Sequence, residues 1–252
     1  MDSSVSKIIN GDCLEVLPKL PQAKMIFADP PDNLGVKYEG FRDKWKGTES
    51  YLQWLNRVLL AVSGRSEIFW FSYNHRYQIA VLSFCSTMTA ACNCRGIPVE
   101  FRQFIWRYTF GQHRTGDCGN GYRPILRIMS PYVKLYPDAI RVKSARQLKY
   151  NDKRADPKGR VPDDVWEFPR VCGTFRERRK WHPCQHPKGL LRRMVLFSTR
   201  PGDLVIDMFA GSGNMLEVCR ELGRACIGIE ISKFYCEKIA GETGAVPESA
   251  GK

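Results

Sequence analysis

Two short stretches carry residue types that chemistry can use. Phe27 to Asn33 reads FADPPDN. Its two prolines stiffen a turn and remove two backbone donors. Facing a cleft, such a turn offers Asp29, Asp32 and the carbonyls of Pro30 and Pro31, all of them acceptors. Acceptors suit an amino nucleophile whose lone pair is conjugated into a ring. They hold its hydrogens, favour a pyramidal nitrogen, and stabilise the positive charge that grows as the nitrogen attacks a sulfonium methyl. No cysteine nucleophile is required. Taken alone, the same residues also describe an ordinary proline-rich surface turn.

The second stretch, residues 203–232, reads DLVIDMFAGSGNMLEVCRELGRACIGIEIS. It predicts a strand ending at Asp207, a turn at Gly211 and Gly213, a helix, and a strand ending at Glu230. Glycines let a ligand approach the backbone, and an acid roughly 20 positions further on suits a pair of ribose hydroxyls. The third glycine of dinucleotide folds is missing, which a nucleoside ligand without a pyrophosphate tolerates. The competing explanation is a left-handed turn that only joins strand to helix. A third cluster, His182, Cys184 and His186 in HPCQHP, has no usual zinc spacing and no second cysteine pair beside it. No metal is expected.

These residues need a scaffold that brings strand ends together. SKIIN, KMIFA, EIFWFSY, FRQFIWRY, DLVIDMF and RACIGIEIS read as strands, several of them unbroken apolar runs suited to a parallel sheet covered on both faces. CLEVLPKL is a short helix interrupted at Pro18, SYLQWLNRVLLAV an amphipathic one, and Ile79 to Cys92 a core helix. Pro187 to Thr199 is a helix with Leu190, Leu191, Met194, Val195 and Phe197 buried, and KFYCEKIAGET is a further helix. The pattern is α/β from Lys7 to about Pro131 and again from Pro187, with a loop-rich segment at 132–180 and a polar, flexible tail at 241–252. One domain over residues 1–252 is expected.

The chain has 252 residues, 43% of them hydrophobic, and a net charge of +13. Such a surplus favours a polyanionic partner. Residues 141–180 hold 13 basic and 6 acidic side chains, so this stretch alone supplies +7. Tyr150, Trp166, Phe168, Phe175 and Trp181 lie among those charges, a mixture suited to a nucleic-acid surface. Ten scattered cysteines without a CxxC pair indicate a reducing, cytoplasmic setting. No secretory leader and no 18-residue apolar run are present, so no membrane partner is expected.

FADPP, HPCQHPKGL and DMFAGSG, in that order, resemble the amino-group DNA methyltransferases. Catalytic motif first and glycine turn last resembles the β-group of that family, which is circularly permuted relative to other enzymes using S-adenosylmethionine (SAM). The resemblance spans about residues 7 to 240. It implies a Rossmann-like α/β fold, SAM as cofactor, and base flipping out of duplex DNA toward Asp29 and Pro30. Asp207, Phe209, Gly211 and Gly213 would line SAM. Glu230 would hold its ribose, Asp12 would approach its adenine, and His186 with Lys188 would meet the methionine end. Residues 132–180 would recognise the target, with Arg146, Lys149, Lys153 and Arg154 contacting DNA around Tyr150. The resemblance also implies a possible homodimer and a place in restriction–modification. Family members usually carry an aromatic after Pro-Pro that stacks on the flipped base. This chain has Asp32, and Tyr38 or Phe41 is the expected replacement. The acid at Asp29 favours adenine N6. Cytosine N4, adenine in RNA, and a catalytically inactive nucleic-acid-binding subunit are the alternatives.

Overall fold

Apolar runs such as Met25–Ala28 become interior strands because helices cover the sheet on both sides. The computed structural model describes residues 6–111 and 114–249. Its strands are β1 (Ser6–Asn10), β2 (Ala23–Ala28), β3 (Lys37–Tyr38), β4 (Phe41–Arg42), β5 (Ser66–Ser72), β6 (Glu100–Tyr108), β7 (Tyr122–Met129), β8 (Val165–Phe168), β9 (Leu204–Asp207), β10 (Ala225–Glu230) and β11 (Val246–Ser249). Its helices are α1 (Cys13–Val16), α2 (Thr48–Ala61), α3 (Gln78–Cys94), α4 (Ala145–Lys149), α5 (Lys188–Ser198), α6 (Asn214–Glu221) and α7 (Lys233–Thr243).

Nine strands form one sheet in the order β11-β1-β10-β9-β2-β5-β7-β6-β8, while β3 and β4 form a separate hairpin. Side chains alternate between the two layers. Met25 and Phe27 of β2 join one core with α5, α6 and α7; Ile26 and Ala28 join the other with α1, α2 and α3. This is the Rossmann-like architecture expected from the sequence. Within the nine-stranded sheet, β7 alone runs antiparallel to its neighbours, pairing Ser72 with Ile125 and Ile68 with Met129. Its amino end therefore reaches the edge where β2, β5, β6 and β9 have their carboxyl ends.

Three expectations are corrected. The stretch Ile79–Cys92 is not a core helix: in α3 only Val81 and Cys85 are buried, and Ile79 is 88% exposed. One narrow stripe of α3 meets the sheet, and no further layer covers its outer side. The tail does not fray directly after α7. Residues 246–249 add β11 to β1 in parallel, and Lys7 pairs with Glu248 at 2.6 Å. Main-chain bonding at an edge needs no apolar side chains, so the segment looked like a loop. Residues 250–252 lie outside the described residues. The strands β7 and β8 also escaped the sequence reading, because Pro124 and the four-residue length of VWEF hide them.

Close packing of α6 on β10 sets the height of the glycine turn. A Cβ on Gly228 would stand 2.8 Å from Leu216 Cδ1, 3.0 Å from Ala210 Cβ and 3.1 Å from Ile8 Cδ1. Gly228→Val should therefore destabilise the fold by about 1–3 kcal/mol through overpacking. A shift of the urea midpoint without a change in slope checks this, and an unchanged midpoint refutes the close approach.

Candidate active site

The strands β2 and β9 pair directly, with Phe27 opposite Asp207. From there the chain diverges: β9 leads through α6 to β10 on one side, and β2 through α2 to β5 on the other. The two helices lie on opposite faces of the sheet. Such a switch point opens a crevice beyond the carboxyl ends of the strands. Asp29, Asp207, Glu230 and Asp12 all sit at strand ends along that edge.

Two adjoining cavities fill the crevice. The larger, about 140 Å³, is lined by Asp12, Pro31, Tyr38, Phe41, Trp54, Phe209, Gly211 and Glu230 among others. The smaller, about 60 Å³, is lined by Asp29, Tyr38, His182, Cys184, His186, Asp207, Phe209, Gly211 and Asn214. Tyr38, His182, Phe209 and Gly211 belong to both, so the compartments are contiguous. Glu230 accepts from the Gly211 amide and the Ser232 amide, each at 2.9 Å. Gly211 has φ +50°, and its amide points back to Glu230, so glycine turn and acid form one unit. Asp12 caps α1, accepting from the Leu14 amide at 2.8 Å. Trp54 packs edge-on against Phe209 at 6.0 Å, giving the larger cavity an aromatic wall. Burial pushes the Asp207 carboxyl up to about 7, against the opposing Phe209 amide. Burial raises Glu230 as well, opposed by the Ser232 and Gly211 amides.

The Asp-Pro-Pro turn is held from several sides. The Tyr51 hydroxyl donates to the Pro31 carbonyl at 2.9 Å, so that carbonyl is already engaged, and Asp29 is the acceptor of the turn that lines the smaller cavity. Buried Asp43 accepts from the amides of Asn33 at 2.6 Å and Leu34 at 3.0 Å, fixing the chain just after the turn. Arg123, at the amino end of β7, donates to Asp29 Oδ1 at 2.6 Å and to Asp32 at 2.6 and 3.0 Å. Its Nε donates to the Ser72 hydroxyl at 2.6 Å. His186 Nδ1 lies 3.3 Å from Asp29 Oδ2. Burial works to raise the Asp29 carboxyl, but Arg123 and then His186 outweigh it and hold Asp29 below the usual carboxylate range. Burial lowers His186, with the Asp29 carboxylate drawing it partly back upward.

The sequence reading thus places Asp12, Asp29, Pro31, His186, Asp207, Phe209, Gly211 and Glu230 around one crevice. It missed Arg123, Ser72 and Asp43, and weighed His182 only as a metal ligand. An arginine directly before a proline at the start of an apolar-rich strand that also carries Arg127 was the available signal for Arg123. Some expectations need correction. Gly213, at φ +73°, lines neither cavity, since a Cβ there would face Ile239 and Arg179. Lys188 pairs with Glu217 at 2.6 Å and likewise lines neither. Tyr38 and Phe41 form the β3–β4 hairpin, held by a 2.9 Å hydrogen bond from the Glu39 amide to the Tyr235 hydroxyl; Phe41 lines only the larger cavity, whereas Tyr38 also lines the smaller one beside Asp29.

Arg146, Lys149, Lys153 and Arg154 are exposed and line neither cavity, and the antiparallel course of β7 starts their segment at the opposite edge of the sheet. Tyr136 N bonds the carbonyl of Phe197 at the far end of α5, and Asp164 pairs with Arg102 low on β6. Arg154 is also paired with Asp152 at 3.0 Å. Within 132–180, only the part after β8 returns to the crevice. Among the described residues no group of three or more His, Cys, Asp or Glu side chains is arranged to hold a metal ion, and no helix is long and apolar enough to cross a membrane.

A family model described as DNA methylase, of the N6/N4 type, matches residues 23–241. DNA adenine methyltransferase YhdJ of Escherichia coli is 33% identical over 247 residues, covering 90% of this chain and 79% of that one. Type II methyltransferase M.BglII of Bacillus subtilis is 29% identical, covering 92% and 67%. Among solved structures, the M1.HpyAVI–SAM complex superposes with a TM-score of 0.61 at 18% identity, covering 94% of this chain and 98% of that one. The cytosine-N4-specific PvuII DNA methyltransferase gives 0.66 at 15%, covering 94% and 86%.

Asp207 provides a test of which compartment takes a cationic amine. With its carboxyl near 7, it is protonated below that pH and attracts an ammonium only above it. SAM affinity should fall as pH drops from 8 to 6, approaching about tenfold per unit, and Asp207→Asn should flatten that dependence. Calorimetry across the range decides, and a flat wild-type profile removes Asp207 as the ammonium partner.

Proposed function

The chain belongs to the DNA methylase family, and from that premise we propose that it methylates the N6 amine of adenine, flipped out of duplex DNA into the crevice beside Asp29. It is a DNA amino-methyltransferase, and SAM is its methyl donor. The observation that carries the assignment is the meeting of Asp29 with Asp207 and Glu230 at one switch point, beside two contiguous cavities.

The residues fit SAM by the chemistry of the donor set. Glu230 offers acceptors to ribose hydroxyls, Asp12 and the aromatic wall of Trp54 and Phe209 flank an adenine, and Asp207 meets an ammonium. SAM supplies an electrophilic methyl on sulfonium. Asp29 and the Pro30 carbonyl hold the hydrogens of the target amine. Their negative potential favours the charge that builds on nitrogen during in-line attack. Adenine is favoured over cytosine because the motif opens with a carboxylate, and because the relative YhdJ is named an adenine methyltransferase.

Phe41 lines only the larger cavity while Tyr38 spans both, so beside Tyr38 the flipped base has a second stacking candidate in Tyr108. That ring ends β6 beside Arg123 and packs at 5.0 Å against Trp106, which in turn contacts His186 at 5.1 Å. Base–aromatic stacking is worth roughly 1–3 kcal/mol, so Tyr108→Ala should raise KM for DNA more than Phe41→Ala does. Equal effects of the two would return the role to the hairpin.

We assign the phosphate-contacting surface to the segment between β8 and α5, where Arg176 and Lys180 are exposed and the neighbouring Arg179 reaches the Ser212 carbonyl in the glycine turn. Neutralising either should shallow the slope of log K against log salt by roughly one unit. Lys149→Gln and Lys153→Gln should leave it unchanged. The reverse pattern in a salt titration moves the DNA to the opposite edge.

Asp29→Ala should abolish methyl transfer while leaving the fold and SAM binding in place. Mass analysis of nucleosides from DNA methylated by the wild type should show N6-methyladenine. N4-methylcytosine instead would overturn the choice of base but not of chemistry.

A further inference from the structure

Asp29 is asked to stabilise a nascent positive charge, yet a guanidinium touches it. Arg123 Nη2 lies 2.6 Å from Asp29 Oδ1, and Arg123 is only 12% exposed. An Asp29–Arg123 pair on its own is electrically neutral. In a water-poor crevice a neutral pair presents little negative potential to a cationic nitrogen a few ångströms away. Asp32 changes that balance. It takes Arg123 bidentately, at 2.6 and 3.0 Å, and is itself 15% exposed. Two carboxylates against one guanidinium leave a single net negative charge, the same as an isolated Asp29 would have.

We propose that Asp32 and Arg123 form a charge-balanced clamp on Asp29: Arg123 fixes the orientation of its carboxylate, and Asp32 cancels Arg123's charge so that the turn keeps one negative unit for the transition state. The inference rests on the assignment of Asp29 above. In this arrangement the acid after Pro-Pro is not a defective stacking residue. It is the counter-charge to an arginine brought in by the antiparallel strand. Both are positioning residues, acting through Asp29.

The surroundings leave few other sources of charge. Facing Asp29 are Asp32 from its own turn, Ser72 from β5, Tyr108 from β6, Arg123 from β7, His186 ahead of α5 and Asp207 from β9. Tyr38, His182 and Cys184 complete the wall. His186 and His182 are both driven toward the neutral form by burial, so Arg123 is the one positive group directly on the carboxylate among the described residues. Ser72 locks it through Nε, and Asn74 Nδ2 reaches Asp32 Oδ2 at 3.4 Å, so the guanidinium is held along its whole edge.

The test is single-turnover methyl transfer from tritium-labelled SAM to unmethylated genomic DNA between pH 6 and 9. The proteins are wild type, Asp32→Asn, Arg123→Gln, the double variant, and Asp29→Asn as control, with SAM affinity measured for each. Asp32→Asn, nearly isosteric, should slow transfer about 10- to 100-fold while SAM affinity stays within about threefold. Arg123→Gln should move the acidic limb of the rate profile to higher pH, because two adjacent carboxylates without a counter-ion cannot both ionise. Asp32→Asn with Arg123→Gln restores one negative unit and should recover at least about tenfold over the slower single variant, a non-additivity that simple damage would not produce. If Asp29→Asn is inactive but Asp32→Asn turns over like wild type, or the double variant is merely the product of the singles, the clamp is overturned and the Asp29 reading stands. Should Arg123→Gln fail to fold, Asp32→Asn alone decides. If Asp29→Asn also turns over like wild type, the Asp29 assignment itself fails.

Discussion

Asp29, Asp32 and Asp207 converge where the sheet divides, and gathering like charges in a partly buried crevice is unfavourable unless a counter-charge is present. Arg123 meets that constraint. It reaches the crevice because β7 runs against its neighbours, so the amino end of one strand arrives among the carboxyl ends of the others. The guanidinium then ties the Asp-Pro-Pro turn to β5 through Ser72 and to β7 through its own backbone. A purely parallel sheet would have put the start of that strand on the far side. The acidic turn would then lack its partner.

The glycine turn solves a different problem with the same economy of parts. Its Gly211 amide binds Glu230 across the crevice, which aligns the ends of β9 and β10 before any ligand arrives. The remaining lone pairs of Glu230 are thereby aimed, since two of its acceptor positions are already taken by the Gly211 and Ser232 amides. Preorganisation of this kind reduces the ordering cost of binding. The carboxylates of the crevice consequently differ in character. Asp29 is kept ionised by cationic and polar neighbours, whereas Asp207 and Glu230 are raised by burial and await a partner.

Asp29, Asp207, Gly211 and Glu230 were legible because strand-end acids and a glycine turn follow local rules of backbone chemistry. The apolar runs of β2, β5 and β10 were legible for a related reason: burial on both faces leaves an unmistakable pattern. The basic segment misled. Charge density at 141–180 is a local property, but which edge of the sheet receives that segment depends on the direction of β7, which no charge count records. The helix at Gln78–Cys94 misled in a similar way, since apolar composition does not say how many layers will cover it. Tyr38 and Phe41 are the first aromatics downstream of the Pro-Pro turn, yet of the two only Tyr38 reaches the smaller cavity beside Asp29, while Phe41 lines the larger one alone.

By itself the sequence determined the fold class, the order of the motifs and the pairing of a glycine turn with Glu230. Each is encoded within a few residues or in a repeating pattern, so the chain carries it without reference to distant segments. Tertiary structure alone decided the rest. It set Arg123 against Asp29 across 94 positions of sequence, gave Asp32 an ionic partner in place of a stacking role, and started the segment of Lys149 and Lys153 at the edge away from the crevice. These outcomes depend on strand direction and on which loops share an edge, and such contacts between distant residues are fixed only when the whole sheet is assembled.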